Sequence, residues 1–142
     1  MSATVTRAAA IGRALAYAES GALQRDLAEL VAYRTESQDP GQRPALYDYL
    51  RTAIAPRLES LGCTWRIADN PVANGPPFLL AERIEDPAQA TVLMYAHGDV
   101  VRGYDDQWRA GLSPWRLTAE GNRWYGRGTA DNKGQYCINM TA

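Results

Sequence analysis

The spacing of apolar residues changes at Gly62, and that change restricts the chain to folds in which helices and strands share one core. Before Gly62, apolar residues recur every three to four positions: Leu23, Leu27, Leu30 and Val31, then Leu46, Tyr47, Leu50, Ile54, Leu58 and Leu61. This is the period of helices that bury one face. After Gly62, residues 63–68, 78–84 and 91–96 form short β-prone runs separated by Asn74-Gly75-Pro76-Pro77 and Glu85-Asp86-Pro87, a pattern of strands divided by turns. The run Thr91-Val92-Leu93-Met94-Tyr95-Ala96 is almost wholly apolar, which suits a central strand covered on both faces by helices. The expected class is α/β, with helices packed on a mixed sheet.

Punctuation along the chain refines this outline. Ser20-Gly21 stops a first helix whose expected buried side carries Val5, Ile11 and Leu15, and Asp39-Pro40-Gly41 is a turn. A helix from Pro44 to a Gly62 cap should kink or tighten at Pro56, which has no N–H to donate. Residues 116–119 and 123–125 should pair as a hairpin around Glu120-Gly121-Asn122, and a last helix starts near Asn132. The expected organisation is one unit, helical over 4–62, sheet and site loops over 63–131, and the start of a helix over 132–142.

The bulk properties exclude several function classes. The formal charge of -1, from 15 basic and 16 acidic residues in 142, leaves no basic field to hold a phosphate backbone, so nucleic acid is not an expected partner. No apolar run approaches the roughly 20 residues that a membrane helix needs. The alanine-rich start with Arg7 and Arg13 resembles a transit peptide in composition, but an amphipathic helix accounts for it more simply. Cys63 and Cys137 show no metal-ligand spacing and read as thiols in a reducing compartment, hence an expected cytoplasmic protein.

Two segments can carry chemistry. His97, the single histidine, lies two residues before Asp99. In extended backbone such residues share a face roughly 6.6 Å apart along the strand, so carboxylate and imidazole can meet. A metal-bound histidine commonly donates its second N–H to such a carboxylate. The second segment is Gly126-Arg127-Gly128-Thr129-Ala130-Asp131-Asn132-Lys133-Gly134. A phosphate cradle does not suit it. Asp131 stands where a dinucleotide loop needs glycine, and Lys133-Gly134-Gln135 lacks the Ser or Thr of a Walker loop. Asp131 as a simple helix cap remains open on the residues alone.

Taken in order, Tyr95-Ala96-His97-Gly98-Asp99-Val100-Val101, Trp108, Pro114-Trp115, Trp124-Tyr125-Gly126-Arg127-Gly128 and Asp131-Asn132-Lys133-Gly134 resemble the di-zinc metallopeptidases and amidohydrolases. That family includes glutamate carboxypeptidase, succinyl-diaminopimelate desuccinylase, acetylornithine deacetylase, aminoacylase and carnosine-type dipeptidases. The resemblance implies the N-terminal part of a zinc-exopeptidase-like three-layer domain, truncated before the remaining strands. It implies that His97 binds one zinc, that Asp131 bridges two, and that Asp99 is the catalytic-site carboxylate that orients His97. Cobalt or manganese could replace zinc. It also implies a cis peptide after Asp131, while Asn132 stands where many relatives have a second acid.

The resemblance further implies a small peptide or N-acyl amino acid as substrate, hydrolysed at its amide bond. The family's Glu-Glu pair, its remaining metal ligands and its inserted dimerisation domain would lie downstream, so a homodimer belongs to a full-length protein. On this reading the chain is inactive in isolation. A second reading takes it as a catalytically dead binding or interaction module. Trp108, Trp115 and Trp124 are expected to pack beneath the loop as core or rim.

Overall fold

The computed structural model describes residues 6–141; Val5 lies outside them. Helix α1 (Arg7–Glu19) starts where the Thr6 hydroxyl accepts the Ala9 N–H at 3.2 Å. Gly21, at φ 74°, turns the chain into α2 (Ala22–Ala32). α1 packs on α2, yet Ile11 and Leu15 are half exposed, so the expected apolar face of α1 is uncovered. No element packs on its far side among the described residues.

Arg43 to Ser60 is one helical rod of three parts: α3 (Arg43–Asp48), a π-helical turn (Tyr49–Ile54) and α4 (Ala55–Ser60). Pro56 was expected to tighten or kink this helix, and the rod instead widens just before it. Proline has no N–H for the carbonyl four residues back, and the Thr52 hydroxyl also occupies the Asp48 carbonyl at 2.7 Å. The rod ends as the glycine spacing predicts. Gly62 N–H donates to Glu59 at 2.9 Å and Cys63 N–H to Leu58 at 3.0 Å, the paired bonds of a Schellman cap.

The strands form two separate antiparallel pairs. β1 (Thr64–Ala68) pairs with β2 (Phe78–Glu82) in a register that sets Arg66 opposite Leu80. β3 (Thr118–Glu120) pairs with β4 (Arg123–Tyr125) around Gly121-Asn122, so Glu120 belongs to the strand and not the turn. Residues 91–99 are not in a ladder. Val92, Leu93, Met94 and Tyr95 are 64–95% exposed. The expected central strand therefore has its apolar side chains in place but no neighbouring strands among the described residues. A chain that mixes helices and strands in this order is the expected class, with its sheet represented only in part.

The core lies between helices. Leu27, Leu30 and Val31 of α2, Tyr49, Ala53 and Ile54 of the π turn, and Tyr136 and Cys137 of α5 (Lys133–Thr141) form one buried cluster. Each of the leucine, valine and isoleucine side chains in it contributes about 1.5–3 kcal/mol by leaving water. This packing brings α5, and with it the segment before it, against the end of α2. Cys63 and Cys137 are both free thiols, Cys137 buried and Cys63 half-buried. No helix among the described residues is long and apolar enough to cross a membrane.

Candidate active site

His97 lies at the end of the unpaired run, where the chain turns inward beneath a short parallel bridge. Val100 N–H donates to the Thr35 carbonyl at 2.8 Å, and Ser37 N–H to the Val100 carbonyl at 3.2 Å. The buried Thr35 hydroxyl donates to Gly98 O at 2.6 Å, and the buried Glu36 carboxylate accepts Gly103 N–H at 2.7 Å. Residues 35–37 thus grip both sides of the His97 turn. Their sequence reads as a polar loop after α2, and no periodicity marks them. Only the register of the bridge reveals their role.

Glycines allow two close approaches. A Cβ on Gly98 would collide with the buried Tyr49 ring, and one on Gly134 would collide with the Thr129 carbonyl oxygen. The second contact folds residues 128–134 into a compact turn, with Gly134 N–H donating to Gly128 O at 3.3 Å. The Asp131-Asn132 peptide in this turn is cis, as the resemblance implies.

The turn is fastened by Lys133, fully buried at the start of α5. Its Nζ donates to the carbonyls of Leu30 and Tyr33, each at 2.9 Å, and stands 4.9 Å from the centre of the Tyr49 ring. Carbonyls at the end of α2 lack helical partners and carry the negative end of its dipole, so an ammonium there replaces much of the water it has lost. Burial still pushes its pKa down to about 7, against the raising effect of Asp99. Sequence reading passes over Lys133 as a member of a motif. Its burial depends on α2, a hundred residues away.

The two motifs then meet. His97 Nε2 stands 3.1 Å from Asp131 Oδ1, and Nδ1 faces Asp99, 3.2 Å from its carbonyl and 3.3 Å from Oδ1. With the proton on Nδ1, directed at Asp99, the Nε2 lone pair faces a carboxylate oxygen. Two donors on one zinc, each about 2.0–2.2 Å away in tetrahedral geometry, lie roughly 3.3 Å apart, so this pair fits a shared cation. The Asp131 side chain is 83% exposed, leaving its other oxygen free. His97, Asp99 and Asp131 line a cleft of about 350 Å³ together with Ser37 and Thr129. Among the described residues, no group of three or more His, Cys, Asp or Glu side chains converges as a metal cluster.

The tryptophans divide. Trp108 and Trp115 bracket the loop after the site, Trp108 Nε1 donating to Gly103 O at 2.8 Å and Trp115 Nε1 to Asp105 at 3.0 Å. Trp124 lies on the hairpin and is more than a third exposed.

Residues 93–142 match peptidase family M20/M25/M40. The chain is 35% identical over 119 residues to Beta-Ala-His dipeptidase of Mus musculus, covering 76% of this chain and 24% of that protein. It is 30% identical, with the same coverage, to the Cys-Gly metallodipeptidase DUG1 of Candida albicans. The crystal structure of human carnosine dipeptidase 1 superposes with a TM-score of 0.76 at 31% identity, over 90% of this chain and 29% of that one. The chain therefore spans about a quarter of the length of the curated relatives it matches. The paired motifs, the mixed fold and these similarities together fit peptidase family M20/M25/M40, whose match lies over residues 93–142.

Proposed function

We propose that this chain is the N-terminal segment of the catalytic domain of a zinc-dependent hydrolase acting on small peptides or N-acyl amino acids. The observation that carries the proposal is the position of His97 Nε2 against Asp131 Oδ1 with Asp99 behind the ring. The dipeptidase names of the relatives favour a short peptide as substrate. The free thiols favour a cytoplasmic setting.

His97 and Asp131 would hold the metal, Asp131 using its exposed second oxygen to reach a second ion. Paired zinc ions supply water activation and carbonyl polarisation in such a site. Asp99 keeps the His97 proton on Nδ1, which fixes the ring's tautomer and makes Nε2 the better donor. Thr35 and Glu36 hold the turn that carries both. Two metal-binding side chains fall short of the four ligands zinc normally takes. The proposal therefore assigns the missing ligands and the general base to polypeptide beyond these 142 residues.

Zinc titration by calorimetry, with a dipeptide hydrolysis assay alongside, tests this. The 142-residue chain should take up no more than one weakly held zinc per molecule, lose it in His97→Ala and Asp131→Ala, and show no hydrolysis. A longer polypeptide carrying the remaining ligands should bind two and hydrolyse. Two tightly bound ions with turnover in the short chain would refute the incomplete site. A longer polypeptide that binds no zinc would leave the non-catalytic binding module as the reading.

A further inference from the structure

The turn that presents Asp131 is joined to the backbone of His97 by a side chain that no metal role requires. His97 N–H donates to Asn132 Oδ1 at 3.2 Å, and Asn132 Nδ2 donates to Gln135 Oε1 at 2.5 Å on the first turn of α5. Residues 91–97 make no other backbone hydrogen bond among the described residues. The amide of Asn132 is thus the one polar tie between that backbone and the Asp131 turn apart from the His97 to Asp131 contact itself.

We propose that Asn132 and Gln135 are a positioning pair, an amide latch that holds His97 at its distance from Asp131 before any metal arrives. The inference rests on the metal-site reading above for its purpose, but not for its geometry. An amide is suited to the task because it has one accepting and one donating end. Asn132 uses the first on His97 and the second on Gln135. Gln135 in turn fixes which way the Asn132 amide faces, so that oxygen and not nitrogen meets the His97 N–H. Holding a ligand pair in place beforehand spares the metal the cost of ordering it.

The chemistry makes a distinctive forecast. A carboxylate at 132 still accepts from His97, and Gln135 can rotate its own NH₂ toward it. A carboxylate at 135 still accepts from Asn132. Carboxylates at both positions have no proton to share and repel each other. Asn132→Asp and Gln135→Glu should therefore each be tolerated, while the double variant should fail like Asn132→Leu, which has no acceptor at all.

The direct readout is amide exchange at His97. Labelling with ¹⁵N-histidine gives a single backbone resonance, because His97 is the only histidine in the chain. Exchange at Leu30, deep in the core and followed in separately ¹⁵N-leucine-labelled protein, serves as the folding control. The wild-type His97 amide should exchange at least about tenfold more slowly than in Asn132→Leu and in the double variant, and both single carboxylate variants should stay within about twofold of wild type. Zinc affinity measured in the same proteins should fall about 10-fold or more in the two failing variants, the range typical of lost outer partners. Unchanged exchange in Asn132→Leu, or a double variant no worse than the two single effects combined, overturns the latch. If the 142-residue wild type binds no measurable zinc, the affinity comparison is made in a longer polypeptide carrying the remaining ligands; no zinc binding there fails the metal reading, while the exchange data still decide the latch.

Discussion

Two apolar stretches of this chain have opposite fates. In α2, Leu30 and Val31 are fully buried against Tyr49, Ala53 and Tyr136, whereas Leu93 and Tyr95, in an equally apolar stretch, are 95% and 84% exposed. Both stretches carry the right side chains for their period. The difference is in what each needs as a partner. A helix satisfies its own backbone and requires only a facing apolar stripe, which the π turn and α5 supply. A buried strand requires hydrogen-bonding neighbours on both edges as well as covered faces, and among the described residues the backbone of residues 91–97 finds only the side chain of Asn132. Burial is a property of pairs of elements, so hydrophobicity alone states a demand that the rest of the structure must meet.

The comparison breaks if the two stretches respond alike to truncation. In the 142-residue chain, Leu30→Ala should cost about 2–5 kcal/mol in urea unfolding, while Leu93→Ala should stay within about 0.5 kcal/mol. Equal costs would mean that residues 91–97 are covered in solution. In a longer polypeptide that supplies neighbouring strands, Leu93→Ala should move up into the Leu30 range, which sharpens the proposal that partners lie elsewhere.

Gly98 joins the two regions, since it touches the Tyr49 ring from the end of the exposed run. Gly98→Ala should destabilise by about 1–3 kcal/mol through overpacking and should displace His97 from Asp131. A stability equal to wild type would show that the run is not anchored to the core there. Asp99→Asn, by contrast, should leave stability almost unchanged. In a longer, active polypeptide it should lower turnover far more than zinc content, and unchanged turnover would remove Asp99 from its assigned role.

The smallest effect compares the thiols. Burial, with a lesser contribution from Asp26, pushes Cys137 from 9.0 up to about 11. The unfolded thiol ionises first as pH rises. The contribution of Cys137 is therefore intact below about pH 9, and stability declines between about 9 and 11. Alkylation at pH 8 should modify the half-buried Cys63 well before Cys137; equal rates would show that α5 opens readily.

Much of the outline was legible because it depends on local rules. The Gly62 cap, the Gly21 turn, the hairpin around Gly121-Asn122 and the helix beginning at Lys133 follow from residues within a few positions of one another. The pairing of His97 with Asp99 was also legible, being set by a two-residue separation. Less of the rest could be read. The uncovered face of α1 and the grip of residues 35–37 on the His97 turn depend on elements distant in sequence. So does Lys133, whose partners are the carbonyls of Leu30 and Tyr33.

The sequence by itself determined which segments coil, which extend, and which side chains have the chemistry for a metal site, because period, caps and ligand types are written in neighbouring residues. Only the tertiary structure decided that His97 faces Asp131, 34 positions further along the chain, and that Asn132 ties them. It also decided that the most strand-like run has no paired strand among the described residues. Those outcomes require two distant segments to meet, and no residue encodes the position of a partner it does not touch.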